Sequence, residues 1–187
     1  SVKAKGSFLD NKRVIVTAAP HQSGKDEYLM ILMILALDIE VCYLSAKWTM
    51  RRIPIPFIKP KDIDNQGIPW PLGWLQEIVF RKFGAIPVDR KGNSGQYDSV
   101  VQDLLKRDNF LLIITPEGRF DATRFRSSFL YLAKELEASV MPVQIDYEHD
   151  SLQFLESLNL DGSEEEVIQR LRFCFDGVKG RKSRFKA

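Results

Sequence analysis

The chain has 187 residues, 44% of them apolar or aromatic, with 27 basic and 25 acidic side chains. That length and apolar fraction suit one globular domain with a sizeable core, and the near balance of charge provides no global field for nucleic acid. Cys42 and Cys174 stand far apart with no C-x-x-C and no His/Cys cluster, which fits a reducing compartment and gives no metal framework.

In chain order, the β-branched run 13–18 predicts a strand, 25–37 a helix and 40–44 a second strand. The longest wholly apolar or aromatic run, Tyr28 to Leu37, has ten residues, whereas a membrane span needs about 20. With no signal-peptide pattern at the amino terminus, a cytoplasmic location without a transmembrane segment is expected. Residues 47–70 are rich in proline and short of periodicity, which predicts a long irregular connection. A helix over 72–83 and a short strand over 85–88 follow. The helix over 96–107 carries Tyr97, Val100, Val101, Leu104 and Leu105 on one stripe. Then come a buried-type strand at 110–115, a helix at 127–137 and a strand at 139–147. The helix at 127–137 has a stripe of Phe129, Leu132, Ala133 and Leu136. A Ser163/Glu166 box opens a last helix over 164–175, and a tail with Lys179, Arg181, Lys182, Arg184 and Lys186 around Phe185 ends the chain. Alternation of strands and helices predicts an α/β fold, a single domain over 1–187 whose mixed, mostly parallel sheet is flanked by helices.

In such sheets ligands bind beyond the carboxyl ends of the strands. Three stretches directly follow predicted strands: Pro20-His21-Gln22-Ser23-Gly24-Lys25-Asp26, Pro87-Val88-Asp89-Arg90 and Thr115-Pro116-Glu117-Gly118-Arg119. The first contains Gly-Lys but is not a phosphate loop. Ala19 stands where G-x-x-x-x-G-K-[ST] needs its first glycine, and Asp26 replaces the Mg²⁺-binding hydroxyl with a charge that repels phosphate. His21 and Asp26, if both helical, would point about 140° apart. They converge only if His21 sits in the turn and Asp26 in the first helical turn, and Pro20 favours that break. An aspartate on one imidazole nitrogen fixes the tautomer and leaves the other nitrogen basic, two-thirds of a Ser-His-Asp triad, with a substrate hydroxyl in the serine's place. The competing structural role is a capping box, Ser23 to Asp26, closing a helix amino terminus. The two roles can coexist on different carboxylate oxygens.

Four blocks stand in order: His21 with Asp26, Gly84-Ala85-Ile86-Pro87-Val88-Asp89-Arg90, Pro116-Glu117-Gly118 and Met141-Pro142-Val143. This series resembles the glycerolipid acyltransferase family, which includes the lysophosphatidate acyltransferases, and most closely its short members without amino-terminal membrane helices. The resemblance covers residues 14–147, leaving the last helix and basic tail, 163–187, outside it. It implies that His21 is the general base and Asp26 its orienting partner, and that the acceptor and its phosphate lie among Ser23, Lys47, Arg90, Glu117, Gly118 and Arg119. It also implies an acyl thioester of coenzyme A or acyl carrier protein as co-substrate, a lysophospholipid or similar phosphate-bearing acceptor, no permanently bound cofactor and no metal. Pro142 would serve architecture and the acyl side. Arginine suits a phosphate because its planar fork is permanently charged, and Arg124 and Arg126 stand near the same loops. Three departures are notable. Arg119 and Phe120 stand where the family's third block continues Thr-Arg, Lys25 stands where short members often have an aromatic residue, and Ser128 replaces a common glycine.

Membrane access is a further expectation. Trp70 and Trp74 with Phe80, Arg81, Lys82 and Phe83 suit either an interfacial surface or, the preferred reading, a core helix lining an acyl tunnel. The basic tail could touch anionic headgroups or simply be solvated. His149, after a strand and among acidic residues, reads as surface. A noncatalytic lipid- or acyl-binding module on the same fold, or an acyltransferase for a non-glycerolipid acceptor, is the alternative to the enzyme.

Overall fold

The structure is a computed structural model and describes residues 2–4, 13–20, 41–53, 68–88, 95–117, 124–149 and 151–180. Nine strands occur among them: β1 (Val2–Ala4), β2 (Arg13–Ala19), β3 (Val41–Ala46), β4 (Arg52–Ile53), β5 (Ile68–Pro69), β6 (Ala85–Val88), β7 (Phe110–Ile114), β8 (Ser139–Asp146) and β9 (Ser151–Phe154). The helices are α1 (Gly73–Lys82), α2 (Gly95–Leu105), α3 (Ser128–Glu135) and α4 (Glu164–Phe175), and a 3-10 turn covers Lys47–Met50. The expected α/β class with mostly parallel strands is observed. The chain forms two compact units, Ser1–Glu40 with Asp108–Ala187, and Val41–Arg107.

In the first unit the strands lie in the order β1-β9-β8-β2-β7. β2 runs parallel to both β7 and β8, β1 is parallel to β9, and only β8 and β9 are antiparallel. β2 is central, and the sequence Val-Ile-Val-Thr-Ala-Ala is buried at every position. That is how a parallel strand covered on both faces reads, as an unbroken apolar run instead of an alternation. α3 packs against β2 and α4 against β8. Phe129, Leu132, Ala133 and Leu136 are all buried, as their stripe predicts. α4 opens with the expected box: the Ser163 hydroxyl accepts from the Glu166 N–H at 3.3 Å, and the Glu166 carboxylate accepts from the Ser163 N–H at 2.7 Å. These bonds satisfy amide groups that a helix start leaves open. Val167, Leu171 and Phe175, one turn apart, are the buried face of that helix.

In the second unit β3 and β6 pair in parallel, Tyr43 opposite Ala85 and Ala46 opposite Val88. β4 and β5 form a short antiparallel pair. α1 contacts both the 3-10 turn and β6, and Val100, Val101 and Leu104 are the buried face of α2.

Among its described residues, the stretch expected to be an irregular connection holds the 3-10 turn and the β4–β5 pair. Two short strands, β1 and β9, went unpredicted. Three or four residues carry too little pattern to announce a strand, and it is the ladders of β9 with β8 and of β1 with β9 that define them. The expected helix over 25–37 lies outside the described residues.

Candidate functional site

Because β2 and β7 are parallel and in register, with Thr17 opposite Ile114, their carboxyl ends reach the same edge of the first unit. β2 ends at Ala19, followed by Pro20, and the first block begins there. β7 ends at Ile114, and the third block follows at once. β8 is also parallel to β2 and brings Gln144 opposite Ala19. In the second unit the same rule brings Lys47, just after β3, and Val88, the last residue of β6, to one edge. This is the edge at which a parallel α/β sheet offers loops and unpaired backbone groups to a ligand.

Of the candidate site residues, Lys47 and Glu117 are described. His21, Ser23, Asp26, Arg90, Gly118 and Arg119 lie outside the described residues. Lys47 opens the 3-10 turn and is exposed. Glu117 is enclosed, only 4% exposed, in the turn that follows β7. A buried carboxylate is tolerated only with polar company, so a solvated loop does not describe it. The turn itself is fastened by the Arg126 N–H, which donates to the Pro116 carbonyl at 2.8 Å. Arg124 and Arg126 are exposed beside it.

The fourth block lies inside β8 and is buried. Its proline is accommodated by the sheet margin. The Pro142 carbonyl accepts from the Leu155 N–H at 3.0 Å, beyond the β8–β9 pairing that begins with Val143 and Phe154. A residue's N and C=O point to the same side of a strand, so the missing N–H faces a position where no ladder bond is required. Pro142 is thus architectural in this fold.

Two polar features near the same strands escaped the sequence reading. The Thr17 hydroxyl on β2 is fully buried and has no hydrogen-bond partner among the described residues. Beyond the end of β8, His149 is exposed, as expected, but its Nδ1 lies 2.7 Å from Asp146 Oδ2. The other Asp146 oxygen accepts from the backbone N–H groups of Glu148 and His149 at 2.8 and 3.4 Å. Burial pushes this carboxyl upward, but the His149 ring and the two amides outweigh it and hold the group below its ordinary value. A His three residues after an Asp at a strand end was the available signal.

The expectation that the tryptophan-bearing helix is a core helix is overturned. Trp74, Leu75, Ile78 and Val79 of α1 are exposed, with Trp74 at 56%. Among the described residues no helix is long and apolar enough to cross a membrane.

No curated protein matches the sequence. Residues 71–146 match the family model described as Acyltransferase. The second, third and fourth blocks fall inside that match, whereas His21 and Asp26 precede it. Over residues 71–146, therefore, the chain is similar to the acyltransferase family, the family to which its ordered blocks point.

Proposed function

We propose that the protein moves a fatty acyl group from an acyl thioester, of coenzyme A or acyl carrier protein, to a hydroxyl of a phosphate-bearing acceptor such as a lysophospholipid. The observation that carries this reading is the family match over residues 71–146, which takes in three of the four blocks. His21 and Asp26 supply the remaining block, beginning one residue past Pro20 at the end of β2.

In this mechanism the His21 imidazole removes the acceptor's hydroxyl proton while Asp26 holds the ring and stabilises the imidazolium. The hydroxyl oxygen forms a bond to the thioester carbon, and the resulting oxyanion collapses with loss of the C–S bond. The thiolate leaves and takes the proton back from the imidazolium, so the acceptor gains an ester and the carrier is released as a free thiol. A base positioned this way contributes about 10²–10⁴ in rate. Arg90, Lys47 and Arg119 are the cations that the resemblance assigns to the acceptor's phosphate, and Glu117 lies buried in the turn that follows β7.

The test is thiol release from acyl-coenzyme A or acyl carrier protein in the presence of lysophosphatidate, with the product identified by mass spectrometry. Turnover that falls by at least about 10²-fold in His21→Ala and Asp26→Asn supports the reading. No turnover across a panel of donors and acceptors, or saturable lipid binding without product, would overturn it.

A further inference from the structure

α1 is turned inside out relative to an ordinary surface helix. Its solvent-facing arc contains Trp74, Ile78, Lys82, Leu75 and Val79, spread over about 140° at 100° per residue. Leu72 and Phe83 are exposed at its two ends. Gln76 and Glu77 face the other way, and their bonds explain why. Trp70 Nε1 donates to Gln76 Oε1 at 2.8 Å, and Gln76 Nε2 donates to the Arg52 carbonyl at 3.2 Å. Glu77 accepts from Arg51 Nε at 2.5 Å and from Arg81 at 2.9 and 3.0 Å. At the helix start, any Cβ on Gly73 would stand 2.7 Å from the Arg51 carbonyl oxygen, so the backbone is in close contact there. The inward face is thereby held by polar bonds and one tight backbone approach, and the apolar face is held outward with it.

An exposed apolar stripe of this size marks an interaction surface, and its charge selects the occupant. Glu77 is the only acidic residue from Pro71 to Phe83, and it is already bonded to two arginines. Arg51, Arg81 and Lys82 remain exposed around the stripe. Tryptophan and phenylalanine with a cationic border are the chemistry of a helix lying in a headgroup layer. A second copy of the chain fits poorly, because a two-fold contact through this face would set the same three cations against one another.

We propose that the outward face of α1 docks on an anionic lipid bilayer, with Trp74, Ile78 and Phe83 entering the interface and Arg81 and Lys82 against the headgroups. It concerns where the protein works and does not depend on the acyl-transfer mechanism. The experiment is co-sedimentation of the full chain with vesicles of phosphatidylcholine, with and without phosphatidylglycerol, at low and high salt. It includes no acyl donor or acceptor, so its failure and a failure of turnover are separate results. The expected result is partition to the anionic vesicles that weakens with salt and falls about tenfold or more in Ile78→Asp and in Lys82→Glu. Brominated acyl chains should quench the wild-type fluorescence but largely spare Trp74→Phe. Each variant is exposed and is checked for its fold by circular dichroism. Lack of partition, or partition unaltered by Ile78→Asp and Lys82→Glu, would overturn the proposal. So would a dimer that Ile78→Asp dissolves, or capture of an acidic carrier protein at this face without vesicle binding.

Discussion

Three donors converge on the Asp146 carboxylate, and that makes it harder to protonate than a free side chain. Removing the ring in His149→Ala leaves the two backbone amides in place and takes away the largest of the downward influences. The Asp146 pKa should therefore rise in the variant, toward the ordinary value of about 3.9, as read from a carboxyl-carbon NMR titration. The sign for stability follows from a depressed folded value. Asp146 contributes stability above its unfolded pKa, and the contribution is lost as pH falls through the lower folded pKa. Wild type should thus gain more stability from Asp146 above the unfolded pKa than His149→Ala does, and the difference should disappear as pH falls through the lower folded pKa. At this scale the sequence identified His149 as surface, because a lone histidine among acids has no reason to be buried. The pairing with Asp146 and the enclosure of Glu117 depend on how two turns fold back, which residue type does not dictate.

At the scale of an element, the second block begins with a glycine whose role is geometric. Gly84 has φ of +82°, follows α1, and closes the turn with its N–H donating to the Arg81 carbonyl at 3.0 Å. Its own carbonyl accepts from the Tyr43 N–H of β3 at 3.0 Å, which starts the β3–β6 register. A Cβ there would stand 1.9 Å from the Val41 carbonyl oxygen. Gly84→Ala meets both a left-handed backbone and another strand's main chain. A loss of about 2–4 kcal/mol is expected, measured as a lower urea midpoint. The sequence placed β6 over the observed Ala85–Val88 and α4 over the observed Glu164–Phe175, since punctuation by Gly, Pro and a capping box is local chemistry. It did not reveal which way α1 faces. Gln76 and Glu77 bond to Trp70, Arg51 and Arg52, and those contacts turn the apolar residues outward.

For the whole molecule, the matched stretch and the folding unit are different things. Residues 71–146 include β7 and β8, yet the strand between them in the sheet is β2, residues 13–19. Without β2 both neighbours lose their shared ladder and the apolar faces covered by it. An isolated 71–146 fragment should therefore lack a cooperative thermal transition and give a poorly dispersed amide NMR spectrum, and a sharp transition would refute this. The same topology requires any assay of acyl transfer to use the full chain, because the first block enters through β2.

The α/β class, most of the larger described elements and the ordered blocks were legible in the residues alone. Periodicity, β-branching and turn chemistry act over a few neighbours, and a short window contains them whole. The burial of Glu117, the seat of Pro142 at a ladder's margin and the outward face of α1 were decided only in three dimensions. The last two depend on partners far along the chain: Leu155 bonded to Pro142, and Arg51 to Glu77. Long-range contacts of this kind set orientation and exposure, and no local pattern encodes which of them will form.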